Sequence, residues 1–485
     1  MNRHTFKNVL ALTLVAISGA AAHASTDAVP VPLADLPPFA ARGQAPSGPL
    51  ELRRLDLRTG QETRVLVSEA NGLPEAVREL LQGGGAEELF SALNDRLNNP
   101  TANQETGNAG QAPQDAVILD RAFGSRSLVS ATSSYPNSSN CRIDMQFQSQ
   151  CNTTLNYMGS ATLIDPKWVL TAGHCVHSSN APAADPRGAC FTARANQWAS
   201  NFIVSPGYSG GSRPFGTARG IALWTWTGWT NSRDWNQDIA FVELDRHVGA
   251  ITGWAGYGFN DSSSFFTGNT FNLKGYPAAG GYSGQYMYSR SGNFASRSGN
   301  IVKFTPMGLG GESGSSYTRS NIAYAVHSHS YTSINTGGGV ALWSGFFYDL
   351  RDNRILAGTP SSPDLVPLAV RTSTTSISRG AVIPSIQVLV HNCSRSTFTG
   401  SPSISFRFAS NDLITTVVPA ASNVITAYSS IAPKSSKWIT VYNVRVPTTA
   451  PVGSTVYLGA ILNNVDANTG NNATKADDTD RLAVR

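Results

Sequence analysis

Gly311-Glu-Ser-Gly-Ser315 sets a serine between glycines, and this short stretch decides how the rest of the chain is read. A serine hydroxyl is a poor nucleophile at neutral pH and needs a positioned base to take its proton. Two upstream stretches offer the parts. Thr171-Ala-Gly-His-Cys175 places His174 just after an apolar run, and Gln237-Asp-Ile-Ala-Phe-Val242 places Asp238 at the start of another. In this reading His174 takes the Ser313 proton and returns it to the leaving group. Asp238 holds the imidazole in one tautomer, and the N–H groups of Gly311 and Ser313 face the developing oxyanion. One such donor is worth roughly 3–4 kcal/mol of barrier, and a side chain at Gly311 would obstruct the turn. Each piece has an ordinary explanation when taken alone. A Gly-x-Ser-Gly is common in loops, a His-Cys pair after a strand is often structural, and Asp234 competes with Asp238. Their joint occurrence at three strand borders carries the reading.

The 485 residues exceed one ordinary domain, and about two to four units are expected. A charged fraction of 14% with abundant glycine fits loop-rich β structure better than a helical enzyme. The net charge of +5 is mild for this length, and no dense Lys/Arg run argues for nucleic acid. Residues 1–24 have the layout of a signal peptide. Arg3 and Lys7 precede the short apolar run Val9 to Ile17, and Ala22-His-Ala24 is a small-x-small cleavage site. No apolar stretch is long enough to span a bilayer, so export is expected and disulfides are permitted. Cys141, Cys151, Cys175 and Cys190 cluster centrally while Cys393 stands apart. Four cysteines allow three pairings. Short enclosed loops favour Cys141–Cys151 with Cys175–Cys190. A metal site at His174, Cys175 and His177 would lack a spaced second ligand pair.

Residues 25–116 differ from the remainder of the chain. Pro30 to Pro49 is proline-rich, Glu51 to Val67 alternates around a Thr-Gly turn as a hairpin does, and Leu73 to Leu97 has helical spacing. The polar segment Asn98 to Gln114 reads as a cleavable hinge. These features suggest an α+β pro-segment that folds against its enzyme, or else an ordinary small domain. Across 117–356, short apolar runs separated by turns suggest β-barrels: Tyr157 to Leu163, Trp168 to Leu170, Ala218 to Trp226, Ile239 to Leu244, Thr270 to Lys274, Gly299 to Phe304, Ile322 to Ser328 and Val340 to Phe347. A linker at 357–363 leads to a region, 364–485, with strands at Ile386 to Val390, Ile404 to Phe408, Trp438 to Val446 and Val456 to Leu462. These suggest a β-sandwich of immunoglobulin type.

The order His174, Asp238, Ser313 is that of the chymotrypsin-type proteases, and the stretch from Val117 to about Leu350 resembles that family. More narrowly it resembles the bacterial glutamyl endopeptidases, through Thr171-Ala-Gly-His-Cys175, Gly311-Glu-Ser-Gly-Ser315 and Ala325-Val-His-Ser328. Weaker matches are Val117-Ile-Leu119 with Arg126 downstream, Val204-Ser-Pro-Gly207, Asp238-Ile-Ala240 and Gly275-Tyr-Pro277. The resemblance implies two six-stranded antiparallel barrels. It also implies maturation near Val117, whose new amino terminus helps form the specificity pocket. It places His327 against a substrate carboxylate and Ser328 behind Asp238. His329, on the same strand, is the alternative pocket group. The family carries a threonine five residues before the nucleophile, where this chain has Gly308, so a small or aromatic preference competes with a preference for Glu. Glu312 would either pair with the liberated amino terminus or face solvent. Pro363-Asp-Leu-Val366 and Val465 to Asn472 resemble bacterial cell-adhesion-related Ig-like modules.

The expected protein is a monomeric, secreted serine endopeptidase acting on proteins or peptides. It needs no cofactor, and its C-terminal module would bind a cell surface, glycan or protein. The contrasting expectation is a surface-binding protein in which a weak or inactive protease fold serves as scaffold.

Overall fold

The structure, a computed structural model, describes residues 50–67, 122–182, 187–331, 334–411, 424–425, 429–463, 468–474 and 478–485. The expected signal peptide, the helical spacing at 73–97 and Val117 lie outside the described residues.

In chain order the N-terminal and central strands are β1 (Leu50–Asp56), β2 (Glu62–Val67), β3 (Ser127–Leu128), β4 (Asn140–Gln148), β5 (Thr154–Asp165), β6 (Trp168–Thr171), β7 (Ser200–Pro206), β8 (Ala218–Trp226), β9 (Ala240–Leu244), β10 (Gly256–Tyr257), β11 (Phe271–Gly275), β12 (Tyr288–Gly292), β13 (Ser296–Ser298), β14 (Ile301–Phe304), β15 (Ser316–Arg319), β16 (Ile322–Tyr331) and β17 (Thr336–Ala341). The described structure is all-β, as expected. Strands β8-β7-β4-β5-β6-β9 run side by side, and β9 returns to pair with β8, closing a six-stranded antiparallel barrel. Its core holds Ile143, Leu163, Val169, Val204, Leu223 and Phe241. β4 explains itself by period: Cys141, Ile143, Met145 and Phe147 point inward while the residues between them are partly exposed.

The hairpin expected at Glu51 to Val67 is β1 and β2, and it belongs to this same sheet. β7 pairs with β8 only through Ala218 and Arg219; β1 takes over along Ala222–Trp226, with Leu52 opposite Trp226. An edge that would otherwise expose unpaired backbone is thereby covered, and Leu52 is fully buried in the barrel core.

The second sheet runs β13-β14-β17-β16-β15-β11-β12-β3. The extended segment before β3 spans the gap between β14 and β12. Phe123 N donates to Thr305 O (2.7 Å) and Gly124 N donates to Ser291 O (2.9 Å). Its Phe123 ring enters an aromatic core with Phe294, Phe304 and Tyr317. Beyond Ala341 the run expected as strand through Phe347 turns helical at Ser344–Tyr348, where Phe346 and Phe347 pack inward.

The C-terminal strands are β18 (Leu365–Arg371), β19 (Ser376–Ile377), β20 (Val382–Asn392), β21 (Phe398–Gly400), β22 (Ser403–Ala409), β23 (Val424–Ile425), β24 (Ser429–Ile431), β25 (Ser436–Arg445), β26 (Gly453–Asn463) and β27 (Asp480–Val484). Sheets β18-β20-β25 and β19-β27-β26-β22-β23 share one apolar core through Ile386, Val388, Phe406 and Leu458. A buried Arg246–Asp478 ion pair joins this region to the first barrel.

The disulfide expectation is corrected. The bond is Cys151–Cys190, and Cys141, Cys175 and Cys393 are buried free thiols. Cys141 opens β4 and Cys151 lies beyond its far end, so a straight strand of seven steps, about 23 Å, separates their ends. Cys175 packs into the first barrel's core, away from the surface loop that carries Cys190.

Candidate active site

His174 sits in a single helical turn, Gly173–Val176, immediately after β6. The turn is pinned by Asp238, which accepts from the His174 backbone N–H (2.6 Å) and faces the ring Nδ1 (2.8 Å). One carboxylate thus fixes both the backbone and the ring of the histidine. Asp238 is fully buried. Burial alone raises its pKa, but the facing imidazole, the His174 amide and the Ser328 hydroxyl outweigh that and hold it below the usual carboxylate range. For His174 burial acts to lower the pKa, and the adjacent Asp238 charge overrides it to raise it well above the ordinary value. Asp234 plays a different part: it accepts from Asn236 N (3.0 Å) and caps the turn at Trp235–Gln237.

Ser328 reaches Asp238 (2.5 Å) because β16 carries a bulge there. His327 pairs with Gly339 and His329 with the adjacent Gly338, so Ser328 is the extra residue and its side chain is re-aimed. The bulge also parts the two histidines. His329 contacts Ser328 Oγ (2.8 Å) and Tyr331 hydroxyl (3.0 Å) and packs on the Trp235 ring, centroids 4.7 Å apart. His327 is buried against Tyr317, its Nδ1 3.0 Å from the Tyr317 hydroxyl. Burial pushes its pKa down to about 3, so the ring is neutral.

Ser313 lies on the turn leading into β15. Gly311 has φ +90°, and a Cβ there would collide with Tyr276 O, so glycine is required. Ser160 of β5, which sequence reasoning passed over, clasps this turn. Its N–H donates to Ser313 O (2.8 Å) and its hydroxyl to Gly311 O (2.8 Å). From the other side Gly314 N donates to His327 O (2.9 Å). Among the described residues neither the Gly311 nor the Ser313 amide has an acceptor, and the Ser313 hydroxyl makes no hydrogen bond to the His174 ring. The two residues meet through Cys175, whose Sγ lies 3.9 Å from Ser313 O. Such contacts often tighten only with substrate present.

Gly308 has a steric reason. A Cβ there would collide with His327 Nε2, so a threonine would displace the ring from Tyr317. Glu312 departs from expectation, since its side chain is only 3% exposed and is held by Arg126 and Arg290, at 2.6 and 3.4 Å from Oε2. Ser160 and Arg290 left no local signal in the sequence, and Arg126 entered it only as a weak match downstream of Val117. Among the described residues no group of three or more metal-ligating side chains converges, and no helix is long and apolar enough to cross a membrane.

Parts of the chain are similar to known proteins. The trypsin family's sequence pattern matches residues 128–341. An "Extracellular metalloprotease" of Bacillus subtilis is 29% identical over 217 residues, 44% of this chain and 63% of that protein. A "Glutamyl endopeptidase" of Bacillus licheniformis is 30% identical over 160 residues, 33% of this chain and 45% of that protein. The chain thus spans about half to two thirds of the length of these curated relatives. Among solved structures, a Glu endopeptidase in complex with MPD aligns at 21% identity, covering 48% of this chain and 97% of its own, with a TM-score of 0.38. The two relatives' names imply different chemistry, so the side chains at the site must decide between them.

Proposed function

We propose that the protein is a secreted serine endopeptidase. Ser313 attacks the scissile carbonyl, and His174 accepts its proton and later delivers it to the leaving amine. Asp238 stabilises the imidazolium, and an acyl-enzyme on Ser313 is hydrolysed by water. The amides of Gly311 and Ser313 receive the oxyanion. The observation that carries this reading is the double grip of Asp238 on His174, at 2.6 Å to the backbone and 2.8 Å to the ring.

The residue before the scissile bond is inferred to be Glu. In this reading the Tyr317 hydroxyl, 3.0 Å from Nδ1, is assigned as the donor, which leaves the neutral His327 its proton on Nε2, beside Gly308, for a substrate carboxylate. Maturation near Val117 and an immunoglobulin-like, ligand-binding module at 364–485 complete the reading. Sequencing the product ends of a denatured-protein digest tests the pocket, with cuts expected after Glu. Ser313→Ala tests the chemistry: turnover of a Glu-containing chromogenic peptide should vanish, together with covalent labelling by a fluorophosphonate. Turnover that survives the substitution would overturn the assignment.

A further inference from the structure

Glu312 stands between the two residues that the proposed mechanism uses for its amides, and it is buried at the junction of three segments. Arg126 donates through Nε to Oε1 (2.7 Å) and through Nη2 to Oε2 (2.6 Å). Oε2 also accepts from Leu309 N (2.8 Å) and faces Arg290 Nη2 at 3.4 Å. The same guanidiniums reach the backbone leading into the turn: Arg126 Nη2 to Met307 O (3.3 Å) and Arg290 Nη1 to Pro306 O (3.0 Å). The segment from Pro306 to Glu312 is therefore bracketed at both ends by the same two cations. Their own positions are fixed. Arg126 directly precedes β3, whose Ser127 pairs with Ser289 of β12, and Arg290 belongs to β12. Arg290 also lies over the Phe123 and Phe304 rings, at 5.6 and 5.1 Å.

A planar guanidinium offers two parallel donors to a carboxylate, a geometry that an ammonium group cannot reproduce. A buried carboxylate next to the nucleophile needs a cation, and here that cation is internal.

We propose that Arg126, supported by Arg290, is the positioning residue that holds the Gly311–Ser313 turn with its amides aimed at the oxyanion, in place of a liberated amino terminus. The inference rests on the serine-peptidase reading of this site. It implies that the turn is set before any cut near Val117, and that the new terminus serves the pocket and not the turn. Trimming beyond Arg126 would dismantle the turn.

The test uses the full chain with Arg126→Ala, Arg126→Lys and Glu312→Gln. Turnover of a Glu-containing p-nitroanilide peptide is measured alongside fluorophosphonate labelling of Ser313 and near-ultraviolet circular dichroism. Arg126→Ala is expected to lower kcat and the labelling rate together by roughly 10²–10³-fold, the effect of misplacing an oxyanion donor, with KM little changed. Arg126→Lys should fall between the two, because it restores charge without the fork. Low-millimolar guanidinium should return part of the lost rate to Arg126→Ala. Wild-type kcat in both Arg126→Ala and Glu312→Gln would overturn the inference. Should Arg126→Ala fail to fold, Glu312→Gln decides alone, since it keeps the shape and removes only the charge.

A readout independent of catalysis separates this inference from the reading it rests on. In a Ser313→Ala background, Arg126→Ala should speed hydrogen exchange across residues 306–314 and leave the first barrel unchanged. Unchanged exchange there would sink the positioning role. A wild-type protein that never labels at Ser313 would sink the peptidase reading instead.

Discussion

The first barrel and the second sheet are held together by different means. The first closes through its strand ladder, β9 returning to β8 around a core of aliphatic and aromatic side chains. The second leaves a gap between β12 and β14 that a single extended segment, Ala122 to Gly124, bridges from both sides. Behind that segment stands an ionic cluster, Arg126, Arg290 and Glu312, which ties it to the turn before β15. The site inherits this difference. The first barrel contributes His174 and Asp238, locked to each other by two short contacts. The second contributes Ser313 on a turn whose shape depends on side chains far away in sequence. In one half the ladder closes on itself, and in the other buried charge joins segments that the ladder leaves apart.

The largest effect that would sharpen this contrast is expected at Asp238. Asp238→Asn should lower kcat by about 10⁴-fold, because the imidazole loses both its tautomer and its counter-charge. The same pair sets the sign of the accompanying pH change. Asp238 raises the His174 pKa, so removing the charge lowers it, and the acid limb of the pH–rate profile should move to lower pH as the ceiling falls. An acid limb that stays in place would mean that His174 is not the group titrating.

Next in size is Leu52→Ala, which tests whether the hairpin truly belongs to the first barrel. A fully buried leucine in that core should cost about 2–5 kcal/mol of stability by urea unfolding, while kcat per folded molecule holds. A change below about 0.5 kcal/mol would mean that the hairpin rests on the barrel without completing it.

The most gradual effect, spread over several pH units, is set by acid. Burial pushes His177 of the first barrel and His327 of the second down to about 3, and His391 of the C-terminal region likewise. An unfolded histidine takes its proton near pH 6.5, and these three refuse theirs until about pH 3, so the unfolded state binds more protons between those values. Stability is complete above about pH 6.5 and falls on acidification by about 1.4 kcal/mol per pH unit for each group. His177→Gln and His327→Gln should each flatten that slope by one share. Urea midpoints that stay level from pH 7 to pH 4.5 would refute the buried, neutral assignment.

Sequence reading succeeded where the signal is local. Apolar runs such as Ala218 to Trp226 became β8 without change, and the alternation around Thr59-Gly60 became the β1–β2 hairpin. It failed where polar residues share a strand. Asn140 to Gln148 buries Cys141, Ile143, Met145 and Phe147 on one face, yet charge and amides on the other disguised it. His174, Asp238 and Ser313 were legible as candidates because each sits beside its own short motif. Glu312 and Arg126 are separated by 186 positions, and nothing periodic connects them. The disulfide was misjudged for a similar reason: closeness along the chain was taken for closeness in space, and a straight strand defeats that assumption.

The hairpin that covers the β8 edge has a consequence for any processing between residues 68 and 121. Severing the chain there would break one covalent link but leave the five β1–β8 backbone partners joining the two fragments. The product would be a nicked heterodimer, one species on a sizing column and two bands after boiling in detergent. A seemingly disposable leader would stay on as a subunit.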